Sequence, residues 1–590
     1  MKTFRRNEPE RCMTSLILCM VALVQLFWTA GSFAGSDTAN LSAQQQLRLG
    51  ERMYRTGILP SGKAMKTSLK GESALPGLAF SCEGCHLRSG LGSFVDGNFT
   101  PPANGAKLFQ PLQIYSSVTG SVKPFKPVRA DPQNLKYYRE IRPIYTEESL
   151  ARALRYGVDC AGRKMNDIMP RYLLEVEDMQ LLISYLKKLS SEFSPGVSDT
   201  ALRFATIITD DVSPEEQSAM LIPLETYFRN RNLTNFLDPR EGVRSRSTGF
   251  RSRVMAETTL ATREAATRKL SLSRWVLKGP ADTWRGQLEE YYRKEPVFAL
   301  LGGITKGSWQ PMHQFCEEHR IPSIFPNTDF PVISRTDWYT LYLSKGFYLE
   351  GEGAASFLND KEELKGRRVV QIVRATPEGR ALSAGFQEAW RDFGHEAPVT
   401  VTLKQGERVT AELLQKALAQ DNPAAVLLWD GPETLTTLEL LADKKYRPSL
   451  VLVSSSFLGK DTFSLAEKLW PFTYLTYPYG ISQLPGEKNP STMAGLKKFD
   501  AKSNAIATTR ISQRSYLLFL VLDMALTEMR GNYYRDNLLD AIGTIMDQDV
   551  QLYDHIGFGP GQRYASKGCY IVQLAKSGLV KRSGRLLSAQ

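Results

Sequence analysis

The spacing of apolar residues predicts helices in the first 190 or so residues of the chain. Residues 43–56, 147–157 and 177–189 each place apolar side chains on one side of a helix, and Gly157 can end the second of them. Residues 88–145 are rich in Gly, Pro, Ser and Asn and show no clear period, so we expect long irregular loops there.

After residue 200 the pattern changes to short apolar runs that alternate with helical segments. The clearest runs are 204–208, 297–301, 369–373, 425–429, 450–453 and 472–476. The helical segments between them include 215–229, 312–320, 379–393 and 411–420. Such alternation is typical of parallel sheets in an α/β architecture. We expect two lobes near 201–345 and 346–480, followed by helices and a C-terminal hairpin.

Length and composition indicate a multidomain globular protein. A chain of 590 residues exceeds what one hydrophobic core usually organises, and 42% hydrophobic with 23% charged residues is ordinary for a folded protein. The Ser- and Pro-containing stretch 193–200 is a predicted linker. The expected order is an all-α domain at 40–192 and then a two-lobed α/β domain at 201–590.

The N-terminus has the features of an export signal. Basic residues precede an apolar run at 13–28, and Ser32-Phe33-Ala34 is a small-x-small cleavage pattern. The run is shorter than the roughly 20 residues that span a bilayer, which favours cleavage over a retained anchor. We therefore expect a Sec-type signal peptide at 1–34, a periplasmic protein, and no transmembrane anchor after cleavage.

The net charge of +12 is compatible with nucleic acid, an anionic membrane face or an acidic protein partner. Export and the absence of a nucleic-acid motif argue against nucleic acid. The arginine-rich stretch 240–274 either docks an acidic redox partner or forms a solvated face. No hydrolase triad, P-loop or H-E-x-x-H pattern is present in the sequence, which favours a protein that is not an enzyme over an enzyme and nominates no catalytic residue.

Cys82, Cys85 and His86 form a C-x-x-C-H pattern. Two such thiols can add to the vinyl groups of haem as thioethers while the adjacent imidazole binds the iron. The alternatives are a thioredoxin-like redox pair, which belongs beside a strand of a βαβ unit, and half of a zinc site, for which only Cys160 is nearby. We predict one covalent haem c at this motif.

A methionine is the expected second iron ligand, because His86 is the only histidine before His313. Met169 is favoured, since the proline that follows it fixes the backbone and lets a rigid loop present the side chain. Met165 is the alternative, and core packing is the commoner role of any single methionine.

Three further cysteines remain after signal cleavage and haem attachment: Cys160, Cys316 and Cys569. Cys316 and Cys569 either form a disulfide in an oxidising compartment or are buried free thiols.

The first domain resembles the class I cytochromes c found with periplasmic dehydrogenases. The resemblance rests on residues 50–57, 82–86, 153–159, 162–163, 169–172 and 185–189. It implies a His–Met haem in a small helical fold, electron transfer, and a redox partner such as a periplasmic dehydrogenase. The long stretch between Cys85 and Met169, and the presence of Cys160, depart from the family pattern.

The second domain resembles the type I periplasmic solute-binding proteins of the kind used in branched-chain amino acid uptake by ABC transporters. The matching stretches are 297–303, 315–322, 325–327, 367–370, 376–379 and 425–432. The resemblance implies two α/β lobes around a hinge with a small-molecule ligand in the cleft. In open α/β sheets, ligands lie beyond the carboxyl ends of strands.

By position in that family, the resemblance implies the following ligand contacts, which come after predicted strands: Thr305, Ser308, Trp309, Asn327, Thr328, Glu378, Asp430 and Tyr477. The alternative for each is an ordinary turn or cap residue. The first-lobe loop 302–309 departs from the family's hydroxyl-rich loop.

We expect a periplasmic mono-haem electron carrier whose solute-binding-like domain senses a ligand or docks a partner. A second hypothesis is a solute-binding receptor of a transport or sensing system with an accessory haem. A third is an enzyme whose five-coordinate haem binds peroxide or a gas.

Overall fold

The computed structural model divides into two compact units, residues 1–192 and 193–590, and each has hydrophobic core clusters of its own. It describes residues 41–69, 75–76, 80–95, 98–116, 138–236, 268–362, 366–418, 423–443, 448–479, 506–545, 553, 556–558, 562–576 and 578–583. The predicted signal peptide at 1–34 and most of the arginine-rich stretch, including residues 240–263, lie outside these residues.

Unit 1 combines helices with short strands. Its helices are α1 (Ala43–Thr56), α2 (Cys82–His86), α3 (Gly105–Leu108), α4 (Glu147–Tyr156) and α5 (Val176–Lys188). Its strands are β1 (Lys66–Ser68), β2 (Leu75–Pro76), β3 (Ser93–Val95), β4 (Asn98–Thr100), β5 (Leu112–Ser116), β6 (Tyr138–Arg142) and β7 (Arg171–Leu173). The three amphipathic segments predicted from periodicity are helices, and each begins and ends within about one residue of its predicted bounds.

The strands of unit 1 differ from the all-α expectation. Strands β2, β1 and β7 form an antiparallel sheet, and β3–β4 and β5–β6 form antiparallel pairs inside the stretch expected to be irregular. Pairing of this kind satisfies backbone N–H and C=O groups in a segment without hydrophobic period. Because such a segment lacks alternation of apolar and polar residues, its sequence does not reveal the pairing.

Two copies of one helix–turn motif occur in unit 1, 100 residues apart. Helices α1 and α4 end at Gly57 and Gly157, whose φ values of 69° and 66° are left-handed, a conformation that glycine adopts without steric cost. In each copy the amide of the methionine eight residues further on, Met65 or Met165, donates to the glycine carbonyl at 2.7 or 2.8 Å. The two copies therefore fix these two methionine backbones in the same way.

Unit 2 alternates strands and helices. Its strands are β8 (Ala201–Thr209), β9 (Lys269–Leu277), β10 (Ala299–Leu301), β11 (Ser323–Ile324), β12 (Thr340–Leu341), β13 (Val369–Arg374), β14 (Val399–Leu403), β15 (Ala425–Trp429), β16 (Val451–Ser454), β17 (Thr473–Tyr477), β18 (Tyr570–Ala575) and β19 (Gly578–Ser583). Its helices are α6 (Pro214–Phe236), α7 (Trp284–Lys294), α8 (Gln310–His319), α9 (Phe347–Asn359), α10 (Pro377–Asp392), α11 (Ala411–Leu418), α12 (Thr434–Leu441), α13 (Ser455–Leu458), α14 (Ile506–Glu528) and α15 (Arg535–Gly543).

Two sheets define two lobes, which confirms the predicted two-lobed α/β fold. The first lobe has the parallel order β12-β11-β10-β8-β9, and the second has the order β14-β13-β15-β16-β17-β18-β19. In the second sheet, β18 and β19 are antiparallel and form the expected hairpin. Alternate residues of β15 enter opposite cores, Val426 and Leu428 on one face and Leu427 and Trp429 on the other, because a parallel sheet is covered by helices on both faces.

Helices α14 and α15 belong to the first lobe, because their apolar side chains join the core that contains β8. Three stretches therefore connect the lobes: between β12 and α9, between β17 and α14, and between α15 and β18. We call these the crossing segments. The first and third are joined by hydrogen bonds, including one of 2.9 Å from the Ala565 amide to the Tyr342 carbonyl.

Residues 193–200, predicted as a linker, pack within unit 2. The Arg203 amide donates to the Gly196 carbonyl at 2.9 Å. Gly196 has φ 89°, and a Cβ there would lie 2.1 Å from the Phe298 nitrogen. The Arg268 guanidinium lies 5.1 Å from the Phe193 ring centroid, so this arginine of the basic stretch serves packing.

Cys316 lies in the core of the first lobe and Cys569 lies beside Gly353 of α9, and both are buried free thiols. Within the described ranges, none of the helices combines the length and the apolar character needed to cross a bilayer.

Candidate functional sites

Cys82, Cys85 and His86 lie on the single short helix α2 of unit 1. Residues separated by three and four positions share one face of a helix, so the two thiols and the imidazole are neighbours. Cys82 and His86 are buried, whereas Cys85 is exposed. This arrangement places the groups that thioether attachment and iron ligation require within one helical turn.

The His86 ring is oriented by a backbone carbonyl. Its Nδ1 lies 2.8 Å from the Pro101 oxygen, and because a carbonyl can only accept, Nδ1 carries the proton and donates. Nε2 then has the lone pair that binds a metal ion. Burial lowers the pKa of His86 although the bond to Pro101 opposes this. The neutral imidazole that results is the form that ligates iron.

The Cys82 thiol is held in its protonated form. Burial raises the pKa of Cys82 to about 11, and its Sγ lies 3.8 Å from the Tyr172 hydroxyl, which itself donates to the Phe80 carbonyl at 2.9 Å. Because the thiolate is the reactive form in disulfide exchange, this environment argues against the redox-pair alternative. Among the described residues no group of three or more His, Cys, Asp or Glu side chains could hold a metal ion, so the zinc alternative gains no further ligands.

Met165 and Met169 both lie at the edge of the core that contains Cys82. The Arg171 guanidinium donates to the Met169 carbonyl and, at 3.4 Å, to the Met165 carbonyl. Arg171, which the sequence analysis did not single out, therefore holds the whole turn that carries both methionines. The choice between Met169 and Met165 as iron ligand stays a prediction.

Unit 2 has a pocket where the first two crossing segments approach each other. Its lining residues come from both lobes and from the crossing segments: Asp329, Ser344, Gly346, Phe347, Ser456, Pro478, Tyr479, Arg514 and Tyr553. Phe347, Tyr479 and Tyr553 are buried aromatic side chains. The pocket is thus a small, largely apolar cleft with one ion pair in its lining.

An ion pair lies at one side of this pocket. Arg514 Nη2 lies 2.9 Å from Asp329 Oδ1, and Arg514 Nε donates to the Tyr553 hydroxyl at 3.3 Å. Although burial opposes it, the guanidinium lowers the pKa of Asp329. One turn earlier on α14, the Arg510 guanidinium lies 4.0 Å from the centroid of the Tyr479 ring. The lining therefore contains one guanidinium and one carboxylate, and a second guanidinium contacts the lining ring of Tyr479.

Four of the predicted ligand contacts lie beyond the carboxyl ends of β10 and β11, as expected, but their polar groups serve the local turns. The hydroxyls of Thr305, Ser308 and Thr328 accept from backbone amides two residues further on, at 3.0 to 3.2 Å. Asn327 is buried and its Oδ1 has no hydrogen-bond partner. Thr328 directly precedes Asp329, which lines the pocket, so this loop brings the predicted ligand contacts next to the pocket.

The remaining predicted contacts are dispersed. Trp309 is fully buried in the first-lobe core. Asp430 is buried against Arg374, with Nη2 and Oδ1 2.6 Å apart, and Glu378 lies in the first turn of α10. Tyr477 contacts Tyr479, with ring centroids 5.6 Å apart, so it lies next to the pocket lining. Trp309 and Asp430 therefore contact other side chains of the protein and contribute to its structure.

The sequence analysis missed Asp329, Tyr479, Arg510 and Arg514. A local signal existed for two of them, because Arg510 and Arg514 are four residues apart on a predicted helix and share a face. Nothing local connects Arg514 to Asp329, which lies 185 positions away.

The comparison with known proteins agrees with the two-lobed fold. The family model described as periplasmic binding protein matches residues 278–578, just over half of the 590-residue chain. No curated protein sequence matches the chain.

Several solved structures are similar to unit 2. One is a putative branched-chain amino acid ABC transporter protein from Rhodospirillum rubrum, with 15% identity, a TM-score of 0.47, and coverage of 65% of this chain and 99% of that one. Another, from Thermus thermophilus with bound valine, has 13% identity, a TM-score of 0.44 and coverage of 66% and 98%. A fatty acid ABC transporter substrate-binding protein from Thermomonospora curvata has 15% identity, a TM-score of 0.40 and coverage of 67% and 95%. These scores carry no argument about ligand, and the assignment rests on the family model: the chain belongs to the periplasmic binding protein family.

Proposed function

We propose that this protein is a periplasmic receptor that captures a small-molecule solute between the lobes of unit 2. The observation that carries the proposal is the aromatic-lined pocket at the crossing segments, with Arg514 and Asp329 at its edge. A ligand that contacts both lobes there binds the closed arrangement better than an open one, and differential affinity of this kind is what shifts a two-state equilibrium. Delivery to an ABC transporter or to a sensing partner then follows lobe closure.

Thermal unfolding of the purified full-length mature chain tests this proposal. A panel of amino acids, alcohols and carboxylic acids is titrated, and a ligand that binds only the folded form raises stability by about 2.7 kcal/mol at 100 times its dissociation constant. We expect a saturable upward shift for at least one class, confirmed by calorimetric titration. If every class leaves the transition temperature unchanged up to millimolar concentration, the receptor proposal is wrong.

We propose as a second function that unit 1 carries one covalent haem c and transfers electrons. Two observations support it: the placement of Cys82, Cys85 and His86 within one helical turn, and the hydrogen bond that leaves His86 Nε2 available. The two thiols would hold the porphyrin and the imidazole would ligate the iron, with Met169 or Met165 as the second candidate ligand. When bound, haem supplies a one-electron redox centre.

The residues of the chain would orient that centre. The Pro101 carbonyl fixes the imidazole tautomer, and Arg171 fixes the turn that holds the candidate methionines. The partner that this proposal implies is a periplasmic dehydrogenase. Expression in a host with haem-attachment machinery, followed by visible spectroscopy and mass measurement, should show one added porphyrin. The Cys82→Ser/Cys85→Ser double variant should lose it, and an unmodified mass for the parent protein would refute the haem proposal.

A further inference from the structure

We infer that this protein forms a two-fold symmetric dimer through the outer surface of helices α6 and α14, which we call the α6–α14 face. The inference is independent of the solute proposed for the pocket and of the haem proposed for unit 1. Its basis is an exposed apolar surface whose residues match those of a second copy of the chain about a single axis.

Both helices of this face expose large apolar side chains to solvent. On α6, Ile222 is 53% exposed and Leu233 is 59% exposed. On α14, Leu520 is 39% exposed and Met524 is 49% exposed. A cluster of such side chains on a folded domain marks a surface that another molecule covers.

The spacing of these residues places them on one side of each helix. Ile222 and Leu233 are eleven positions apart, which is about three helical turns. Tyr516, Leu520 and Met524 follow one another at intervals of four, and residues with this spacing share a face. Each helix therefore carries its exposed apolar residues along one stripe, away from the residues that join the first-lobe core.

The two stripes lie side by side because α6 and α14 run parallel in a fixed register. The Ser512 hydroxyl donates to the Ala219 carbonyl at 3.1 Å, and further along both helices Arg231 Nη1 lies 2.9 Å from Asp523 Oδ1. A residue of α6 is therefore level with the residue of α14 that lies 292 or 293 positions later in the chain.

One two-fold axis pairs the exposed residues of both helices at once. Halfway between Ile222 and Leu233, α6 is level with Leu520, which is itself halfway between Tyr516 and Met524. An axis that crosses both helices at this level, in the plane of the contact, sets each helix antiparallel to its equivalent. Ile222 then faces Leu233 of the second copy, Tyr516 faces Met524, and Leu520 faces its own equivalent. A two-fold contact requires self-complementarity of this kind.

The charged groups of the face also match about this axis. It brings the exposed Arg229 of one copy level with Glu225 of the other, whose side chain is 43% exposed beside Arg274. Opposite charges across a contact fix its register and orientation. A parallel arrangement of the two α6 helices would instead set Arg229 against its own equivalent, so the charges favour the antiparallel dimer.

The α6–α14 face is large enough for a stable dimer. Each helix has 23 residues, so two of them about 34 Å long and packed about 8–10 Å apart present roughly 700 Å². Standard protein–protein interfaces bury about 800 Å² on each partner. The rings of Tyr227 and Phe519 stack between the two helices with centroids 5.4 Å apart, which gives the face an apolar centre, as homodimer interfaces have.

Sedimentation equilibrium of the purified full-length mature chain tests the inference. We expect the mass of two chains at micromolar concentration. Leu520→Arg should give the mass of one chain, because two guanidinium groups would then face each other across the axis. Phe393→Arg, at a side chain 45% exposed just after α10, is the matched control and should leave the dimer intact. A thermal transition near that of the parent protein identifies the variants that fold.

Two opposite variants locate the axis. Leu520→Glu should also be monomeric, since two carboxylates would then meet. An equimolar mixture of Leu520→Arg and Leu520→Glu should restore the mass of two chains, because unlike charges then face each other. This restoration requires residue 520 to lie opposite its own equivalent.

Three results overturn the inference: the parent protein sediments as one chain up to the high micromolar range, folded Leu520→Arg stays a dimer, or the mixture of the two folded variants stays monomeric. A monomeric parent protein that binds phosphatidylglycerol vesicles, with the binding lost in Leu520→Arg, would assign the face to a membrane surface and would also overturn it. The solute and haem proposals are measured separately and stand or fall on their own results.

Discussion

Glu350 gives unit 2 a pH dependence whose size follows from its surroundings. The side chain lies on α9 with no exposed surface, its Oε2 accepts from the Thr476 hydroxyl at 2.6 Å, and its Oε1 has no hydrogen-bond partner. Burial raises the pKa of Glu350 from 4.5 to about 7, and hydroxyls of Ser456, Thr476 and Ser454 only partly oppose this. The folded protein therefore holds this proton more tightly than the unfolded chain does.

The sign of the effect follows from proton binding. Below pH 4.5 the carboxyl is protonated in both states, and its contribution to stability is fully present. Between pH 4.5 and about 7 the unfolded chain has lost the proton that the folded chain keeps, so the free energy of unfolding falls as pH rises. At about 1.4 kcal/mol for each pH unit, the loss reaches about 3 kcal/mol above pH 7.

Glu350→Gln tests this reasoning because glutamine is neutral at every pH and close in shape. Urea unfolding of the variant and the parent protein at pH 5 and pH 8 gives the difference in free energy of unfolding for unit 2. We expect the variant to gain about 2.5 kcal/mol relative to the parent between the two pH values, because part of the loss has already occurred at pH 5. Glu412→Gln, on the exposed side of α11, is the control for loss of a carboxylate. Parallel pH profiles for Glu350→Gln and the parent protein would refute the assignment of a raised pKa.

Three further substitutions probe the two sites. Met169→Leu should lower the reduction potential of the haem form, since a thioether ligand raises that potential. Met165→Leu should leave the potential unchanged. Potentiometric titration measures both variants, and the reverse result would make Met165 the ligand. A left-handed backbone alone costs an alanine about 1–2 kcal/mol. Gly157→Ala should cost more than this, because its Cβ would lie 2.0 Å from Arg171 Nε. Gly162→Ala, at φ 81° with open space around the new Cβ, is the control in thermal melts. Asp430→Ala should cost about 3–5 kcal/mol by leaving its buried guanidinium partner unpaired, with solute affinity of the folded protein unchanged; lost affinity at unchanged stability would restore Asp430 as a ligand contact.

The sequence predicted those features that depend on local pattern. The run at 425–429 is β15 at the same residues, and the segment at 43–56 is α1 at the same residues. The first is an unbroken apolar run, and the second has a helical apolar period that Gly57 ends. The C-x-x-C-H motif is also local, because the helix that brings its three side chains together is one turn long. Such features can be predicted without knowing which residues pack against them.

Features that depend on distant residues could not be predicted in this way. The pairing of Arg514 with Asp329 joins a helix near the end of the chain to a loop of the first lobe, and nothing in either segment signals the other. Trp309 shows the converse error: it follows a strand of the first lobe, as a ligand contact would, yet it is fully buried in the core. The position of a residue after a strand places it near the cleft, whereas tertiary packing decides whether its side chain points there.

Glu350 links proton binding in the second lobe to the pocket. It lies on α9 and accepts from Thr476 of β17 within that lobe, whereas the pair of Arg514 with the half-exposed Asp329 lies within the first lobe. Ser456, whose hydroxyl opposes the rise in the pKa of Glu350, also lines the pocket. A solute that contacts Ser456 therefore changes the surroundings of the Glu350 carboxyl. A ligand-induced change in the pH profile of the parent protein that Glu350→Gln abolishes would show that solute binding and proton binding are coupled.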